Sequence, residues 1–271
     1  MRLSTLRWLA LVKSHHDSNL DSETSKSVTT NAIDEVMAKH RRAHLHLAEL
    51  RVAVSAFLEQ RTHSLFVLPY DDLTYKFQAH NVKNVPEDIA LIAGDVIHNA
   101  RCALDHLAYR LATKPNYQTS FPILKSPPPN GDLVTLRGGT SDQVNEILGL
   151  VQPYGSGINN YLLGVLKDLD NRDKHQLLLP TVCAFQGASY KIEGVDTGDA
   201  SITFNWGTLE NGKDIARLSY TTRPERMEAV LSLIPCVGIT ANHIEGADIL
   251  NLLFNILQHV ATTAHTFSSF I

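Results

Sequence analysis

Residues 86–111 read PEDIALIAGDVIHNARCALDHLAYRL, and this stretch decides the fold. Its apolar residues recur every three or four positions, which predicts one long amphipathic helix with a broad buried face. Pro86 and the acids Glu87 and Asp88 are typical of a helix N-terminus, and a lysine–proline pair ends the pattern. We therefore predict a helix that runs to about Ala112 and packs its apolar face into the core.

The other side of this helix carries an uncommon set of polar residues. Between Asp88 and Arg110 there is no glutamate, lysine or glutamine, which a plain solvated face would carry. The side chains are instead short, geometrically constrained groups of the kinds that do acid–base and phosphate chemistry. On a helical wheel they form a polar stripe with close neighbours, comprising Asp95, His98, Asn99, Arg101, Cys102, Asp105, His106 and Tyr109.

These residues also have ordinary structural interpretations. Arg101 and Asp105 lie four positions apart and can form a salt bridge along the helix. His98 and His106 can be structural histidines that only satisfy hydrogen bonds. Each histidine is also four positions from Cys102, so a lowered thiol pKa and a nucleophilic thiol are a further alternative.

The spacing of Arg101 and His106 is Arg-x4-His, which resembles the signature of HEPN domains. These are helical bundles that include many prokaryotic endoribonucleases of toxin and defence systems. The chain holds one other such match, Arg41 and His46, in a basic helix among other histidines. The stretches GDVIHNARCALDH at 94–106 and LDNRDKH at 169–175 also resemble a widespread group of uncharacterised bacterial proteins.

The resemblance implies a metal-independent endoribonuclease that needs no cofactor. His106 would act as acid or base on RNA, and Arg101 would neutralise the phosphate, with Asp105, Asn99 and His98 completing the catalytic set. Five helical positions separate the first two side chains by about 140°, so a shared site requires a second chain or a distorted helix. The resemblance implies the former, a dimer that pools two motifs at its interface. We therefore expect a homodimer that acts on RNA, with an antitoxin-like protein as a further partner.

A second polar cluster occupies residues 168–175, at the end of a predicted helix. One interpretation is a solvated helix end, where Lys174 and His175 complement the helix dipole. The other is the second half of a site, in which Asp173 or His175 faces the polar helix. In that case Asp95, Asp173 and His175 would support the catalytic residues.

Two other functions fit the same residues. A metal-dependent hydrolase would draw nitrogen and oxygen ligands from both clusters, although no HExxH motif is present; the candidates are His98, Asp105, His106, Asp173 and His175. A non-catalytic HEPN-like module would instead bind a nucleotide or a protein. Its partner-binding face would lie on the sheet, with Phe204, Trp206 and Tyr220 as the contacts.

The remaining patterns predict an α+β fold. Further helices are expected at 31–62, 141–151, 159–170 and 246–267, with a short hairpin near 65–79. Strand-like runs at 177–185, 189–194, 201–206, 215–221 and within 227–239 predict an antiparallel β-meander at 177–240, inserted before the C-terminal helix. Residues 31–271 would form one domain, in which 31–176 and 246–267 make a HEPN-like helical bundle.

Composition and charge narrow the class of protein further. The net charge of −4 disfavours a general nucleic-acid coat protein. Three cysteines without a CxxC pair fit a reducing compartment. Residues 1–30 hold only a short, interrupted apolar run, and nothing approaches the ~20 apolar residues of a membrane span. We expect a disordered or loosely docked segment at 1–30 and a cytoplasmic protein that does not contact a membrane.

Overall fold

The chain has a mixed α+β fold, as the sequence predicts. The computed structural model describes residues 32–157, 159–184, 188–193, 200–222, 228–241 and 244–271. The segment 1–30, predicted to be disordered or loosely docked, lies outside these residues. The helices are α1 (Ala32–Leu58), α2 (Glu87–Leu111), α3 (Asp142–Leu150), α4 (Tyr161–Asp173) and α5 (Ile249–Thr266).

Helix α2 lies at the centre of the helical part and packs against α1, α4 and α5. Its predicted apolar face is confirmed, because Ile97, Leu104 and Leu107 are completely buried and the rest of that face contributes to the same core. Each large apolar side chain buried in this way contributes about 1.5–3 kcal/mol. Three helices therefore fix the rotation of α2 about its axis, and that rotation decides which polar side chains reach the surface.

Local signals set the helix boundaries. Helix α2 follows Pro86 and ends where Ala112 turns to an extended conformation. Ser141 caps α3, as predicted, since its hydroxyl accepts a hydrogen bond from the amide of Val144 at 3.4 Å. Helix α5 begins at Ile249 rather than near residue 246, because a strand occupies the residues before it and Asp248 is the capping residue.

The strands of the described residues are β1 (Ser64–Pro69), β2 (Thr74–His80), β3 (Thr181–Ala184), β4 (Ala188–Glu193), β5 (Ala200–Phe204), β6 (Gly207–Thr208), β7 (Asp214–Tyr220), β8 (Glu228–Leu233), β9 (Cys236–Ala241) and β10 (Ile244–Asp248). In this part of the chain they form three antiparallel sheets. The first has the order β1-β2-β7-β5, the second β10-β9-β3-β6, and the third is the pair β4-β8.

The predicted meander is wrong, although most of the predicted strands exist. Strand β4 pairs with β8 and strand β3 with β9, so the partners in these two pairs are distant in sequence. The predicted hairpin, β1 and β2, is present, and its strand β2 pairs with β7 in the first sheet. Alternation of apolar residues predicts a strand, but its partner depends on which apolar faces bury each other.

A histidine of α1 joins that helix to α5. His40 is buried, and its Nε2 lies 2.9 Å from the carbonyl of Leu257, to which the neutral ring donates. Burial lowers the pKa of His40, and the hydrogen bond to Leu257 opposes that shift. Burial likewise lowers the pKa of His44, whose ring meets His40 edge-on, and that of His259. These three side chains favour the neutral form in the folded protein.

We expect acid to destabilise the protein as the pH falls through about 6.5, the ordinary pKa of histidine, and below it. A folded-state pKa below the unfolded value means that the unfolded chain binds more protons as the pH falls. Each such histidine removes up to about 1.4 kcal/mol of stability per pH unit. Urea unfolding at several pH values measures this slope, which His40→Gln should reduce and His106→Gln, at an exposed position, should leave unchanged. Equal slopes in the wild type and His40→Gln would contradict the expectation.

Candidate functional site

Arg101 and Asp105 of α2 hold a distant piece of backbone. The guanidinium Nη2 of Arg101 donates to Asp105 Oδ1 at 2.8 Å and to the carbonyl of Phe121 at 2.7 Å. The amide of Phe121 donates back to Asp105 Oδ1 at 2.9 Å. This Arg101–Asp105 clamp satisfies both backbone groups of a buried residue. The predicted salt bridge is present, and its function in the fold is to position residue 121.

The residues after Phe121 are held in the same way. Buried Gln152 donates to the carbonyl of Pro122 at 3.0 Å and accepts from the amide of Leu124 at 2.7 Å. Lys167 of α4 donates to the carbonyl of Ile123 at 2.8 Å. Segment 121–124 thereby ties α2 to α4. The sequence analysis missed Gln152 and Lys167, and their only local signal is a polar residue within an apolar stretch.

His106 lies apart from the clamp. Its side chain is exposed, and within the described residues it makes no hydrogen bond or ion pair. The Arg101 side chain is only 13% exposed and its Nη2 reaches inward to Phe121. The two residues therefore have different surroundings, in agreement with the divergence that their five-residue spacing predicts.

The two polar clusters of the sequence meet at a surface cleft of about 510 Å³. Helix α2 contributes one wall and the end of α4 the other, and we call this the α2–α4 cleft. It brings together four of the predicted residues, Asp95, His98, Asp173 and His175, but not Arg101, Asp105 or His106. Its remaining lining is Leu91, Gly94, Gln176 and Leu177.

A glycine on α2 makes room for Asp173. A Cβ built on Gly94 would lie 2.5 Å from Asp173 Oδ1, closer than atoms approach without displacement. The carboxyl group therefore rests directly on the backbone of α2. Burial raises the pKa of Asp173, and the nearby charges of Asp170 and Asp95 raise it further, while His98 opposes them.

The idea of an activated thiol at Cys102 is wrong. The His98 ring does lie close, with Nε2 3.4 Å from Cys102 Sγ. However, burial raises the pKa of the Cys102 thiol, and the charges of Lys39 and Lys174 lower it less. Because the thiolate is the nucleophile, this environment makes Cys102 less reactive than an ordinary exposed cysteine.

Two other predicted residues, Asn99 and Tyr220, are buried rather than exposed. Asn99, placed on the polar stripe by the wheel, is buried, and its Nδ2 donates to the carbonyl of Asp95 on its own helix. Tyr220 is a core residue with 4% of its surface exposed, so it cannot belong to a partner-binding face. Phe204 and Trp206 do stack, with ring centroids 4.8 Å apart, and Trp206 is 45% exposed.

The residues proposed as metal ligands do not form one group, because His98, Asp173 and His175 line the α2–α4 cleft and Asp105 and His106 do not. Among the described residues, no three His, Cys, Asp or Glu side chains are arranged to hold a metal ion. Asp105 is engaged by Arg101 and Phe121, outside the lining of the α2–α4 cleft. The metal-dependent hydrolase is therefore not supported by the arrangement of its own ligands.

Comparisons of the chain with protein-family models, with curated proteins and with solved structures found no match. The class is therefore defined by the fold, a mixed α+β protein with antiparallel sheets. In the described part of the chain, no helix combines the length and the apolar character that crossing a bilayer requires.

The clamp predicts unequal effects for two arginines of α2. Arg101→Ala leaves Asp105 and the carbonyl of Phe121 without their donor, which should lower the free energy of unfolding by about 2–3 kcal/mol. Arg110 is a matched control, since it pairs with Glu35 and both side chains are 44% exposed. Arg110→Ala should cost under about 1 kcal/mol. Urea unfolding followed by circular dichroism measures both, and similar losses would contradict a structural role for the clamp.

The contact of Gly94 with Asp173 predicts different outcomes for two glycines in helices. Gly149 of α3 has open space where a Cβ would stand, so Gly149→Ala should stabilise the protein by about 0.5–1 kcal/mol. Gly94→Ala must displace the Asp173 carboxyl group and should not show this gain. Thermal unfolding of the two variants measures the difference, and an equal gain would contradict a fixed position of the Asp173 carboxyl group.

Proposed function

We propose that the protein is a HEPN-like, metal-independent endoribonuclease in which His106 is the acid–base residue. The observation that carries the proposal is the state of His106 on α2, an exposed imidazole without a partner in the described chain. It follows Asp105 in the Arg-x4-His pattern, and the Arg101–Asp105 clamp holds that part of α2 rigidly. An imidazole can both accept and donate a proton, which suits proton transfer at an RNA phosphodiester.

The reaction requires two proton transfers. A base takes the proton of the ribose 2′-hydroxyl, whose oxygen attacks phosphorus, and an acid gives a proton to the departing 5′-oxygen. His98 and His106 both lie exposed on α2 but eight residues, or about 12 Å, apart along the helix. One chain therefore does not bring both to one phosphate. In our proposal two chains face each other through α2, and His106 of each copy contributes to a shared site.

Arg101 receives a different role from the one that the resemblance implied. Its Nη2 is engaged with Asp105 and Phe121, and its side chain is largely covered. We assign it as a positioning residue that fixes α2 and therefore His106, rather than as a contact to the phosphate. A toxin or defence role with an antitoxin-like partner remains a prediction, which an adjacent small reading frame would favour.

The same clamp favours a second candidate, a non-catalytic HEPN-like module. If Arg101 only stabilises the fold, the Arg-x4-His pattern reflects a structural contact and does not imply catalysis. The exposed groups of the α2–α4 cleft would then bind a nucleotide or a protein without turnover.

Cleavage of RNA in the presence of a chelator tests the proposal. The purified full chain should cleave total RNA with EDTA present, and His106→Ala should lower the rate by about 100-fold or more. His265→Ala, at an exposed position of α5, is the matched control and should retain the wild-type rate. Circular dichroism of each variant confirms that the fold is unchanged.

Several outcomes would contradict this function. Cleavage that EDTA abolishes indicates a metal-dependent reaction, and cleavage that survives His106→Ala removes the proposed acid–base residue. The absence of any cleavage favours the binding module. Sedimentation that shows a strict monomer at micromolar concentration contradicts the shared site between two chains.

A further inference from the structure

We propose that Cys183 and Cys236 form a reversible oxidation site, at which hydrogen peroxide joins the two thiols in a disulfide between strands β3 and β9. The proposal rests on the placement of the two cysteines and is independent of RNA cleavage at His106. No disulfide joins them in the structure, which therefore represents the reduced form. The third cysteine, Cys102, lies on α2 and provides an internal control.

The pairing of β3 with β9 sets the two cysteines opposite each other. The strands are antiparallel, and Cys183 is the direct cross-strand partner of Cys236. Residues opposite each other in a sheet project from the same face, so both thiols lie on one side of the sheet. Two of the three cysteines of the chain are therefore neighbours in space, although they are far apart in sequence.

The separation of the two residues suits a disulfide. The carbonyl of Val182 accepts a hydrogen bond from the amide of Leu209 at 2.8 Å and so points away from β9. Backbone groups alternate in direction along a strand, so those of Cys183 point towards β9 and make it a hydrogen-bonded partner of Cys236. The Cα atoms of such partners are about 5.5 Å apart, close to the roughly 5.5–6 Å that disulfides most often span.

The remaining mismatch favours a reversible bond. In the reduced form Cys183 Sγ rests against Gly238, where a Cβ would lie 2.5 Å from it, so the side chain must rotate to reach Cys236. The Cβ atoms of opposite residues lie about 4.5–5.5 Å apart, somewhat more than the roughly 3.8 Å of a relaxed disulfide. The bond is therefore strained, and strained disulfides are the more easily reduced ones.

The surroundings of the pair give a small oxidant a route to it. Both cysteines are buried, but neither belongs to the hydrophobic core cluster that includes their strand neighbours Val182 and Val237. Cys183 Sγ instead lies 3.4 Å from Thr181 Oγ1 and 3.8 Å from Thr208 Oγ1, and both threonines are partly exposed. A local opening at these hydroxyl groups therefore admits a molecule as small as hydrogen peroxide without unfolding the core.

The oxidation is balanced by one molecule of hydrogen peroxide. The thiolate of one cysteine attacks a peroxide oxygen, the O–O bond breaks, and this sulfur becomes a sulfenic acid while one water leaves. The thiolate of the other cysteine attacks that sulfur, the S–O bond breaks, and a second water leaves. Two electrons pass from the sulfur atoms to the peroxide, and the two thiol protons leave in the water. A dithiol such as dithiothreitol reverses the reaction by disulfide exchange.

The bond should stabilise the part of the chain that it encloses. Strands β4 to β8 all lie between the two cysteines in sequence. Because a cross-link restricts the unfolded chain, we expect oxidation to raise the midpoint of thermal unfolding by about 5 °C or more. Strand β9 also packs against α5, and its Thr240 accepts a hydrogen bond from Arg172 of α4 at 2.9 Å. The bond therefore fixes a strand that supports two helices.

Thiol counting and peptide mass spectrometry of the full chain test the inference. The protein is treated with hydrogen peroxide and then unfolded in the presence of iodoacetamide. The reduced chain should take up three alkyl groups, one for each cysteine, and the oxidised chain only one, at Cys102. A digest of the oxidised chain should contain a peptide that joins Cys183 to Cys236, lighter by two hydrogen atoms than its separate halves. Dithiothreitol should abolish this peptide.

Variants separate the pair from the third cysteine. Cys183→Ala and Cys236→Ala should each lose the cross-linked peptide and the rise in the unfolding midpoint. Cys102→Ala is the matched control and should keep both. Peptide mapping of the wild-type chain needs no substitution, so it decides the matter even where a variant does not fold.

The inference is overturned if the peroxide-treated wild type still takes up three alkyl groups, or if Cys183 and Cys236 carry separate oxygen adducts without a bond between them. A disulfide that involves Cys102 or joins two chains overturns it as well. A cross-linked chain that unfolds at a lower temperature than the reduced chain contradicts the accommodation of the bond by the paired strands.

Discussion

The hydrogen bonds between the Arg101–Asp105 pair and the backbone of Phe121 are the interaction on which the arrangement of this protein depends. They fix the start of segment 121–124, and Gln152 and Lys167 fix its continuation. Because Lys167 belongs to α4, the segment couples α2 to the helix that ends in Asp173. Phe121 also meets Phe267, after α5, with ring centroids 6.3 Å apart. One pair of charged side chains thus helps to set the mutual positions of three helices.

This coupling divides the polar residues of α2 into groups with different roles. Arg101, Asp105 and Asn99 satisfy backbone groups and hold the fold together. His106 remains exposed, and Asp95 and His98 face the α2–α4 cleft. On a helical wheel these residues form a single cluster. In the structure, however, α2 carries a structural clamp, an exposed imidazole and one wall of a cleft. The distinction follows from burial, since the partly covered Arg101 and Asp105 side chains reach a buried backbone segment and the exposed His106 side chain does not.

The accuracy of the sequence-based predictions depended on the range of the interactions involved. Helix α2, its apolar face and the Ser141 cap were predicted well, because they depend on residues three or four positions apart. The strand pairing was wrong, because β4 with β8 and β3 with β9 join residues far apart in the chain. The lowered thiol pKa at Cys102 was wrong for a related reason, since burial by packed neighbours outweighs the nearby charges.

The sequence by itself determined the polar and apolar sides of α2, the residue types available for chemistry and the divergence of Arg101 from His106, because helical periodicity converts spacing directly into direction. Only the tertiary structure decided that Arg101 and Asp105 bind residue 121, and that Asp173 rests on Gly94 beside Asp95 and His98. These contacts join separate elements. Their geometry comes from the packing of α4 and segment 121–124 against α2, which no local pattern of residues encodes.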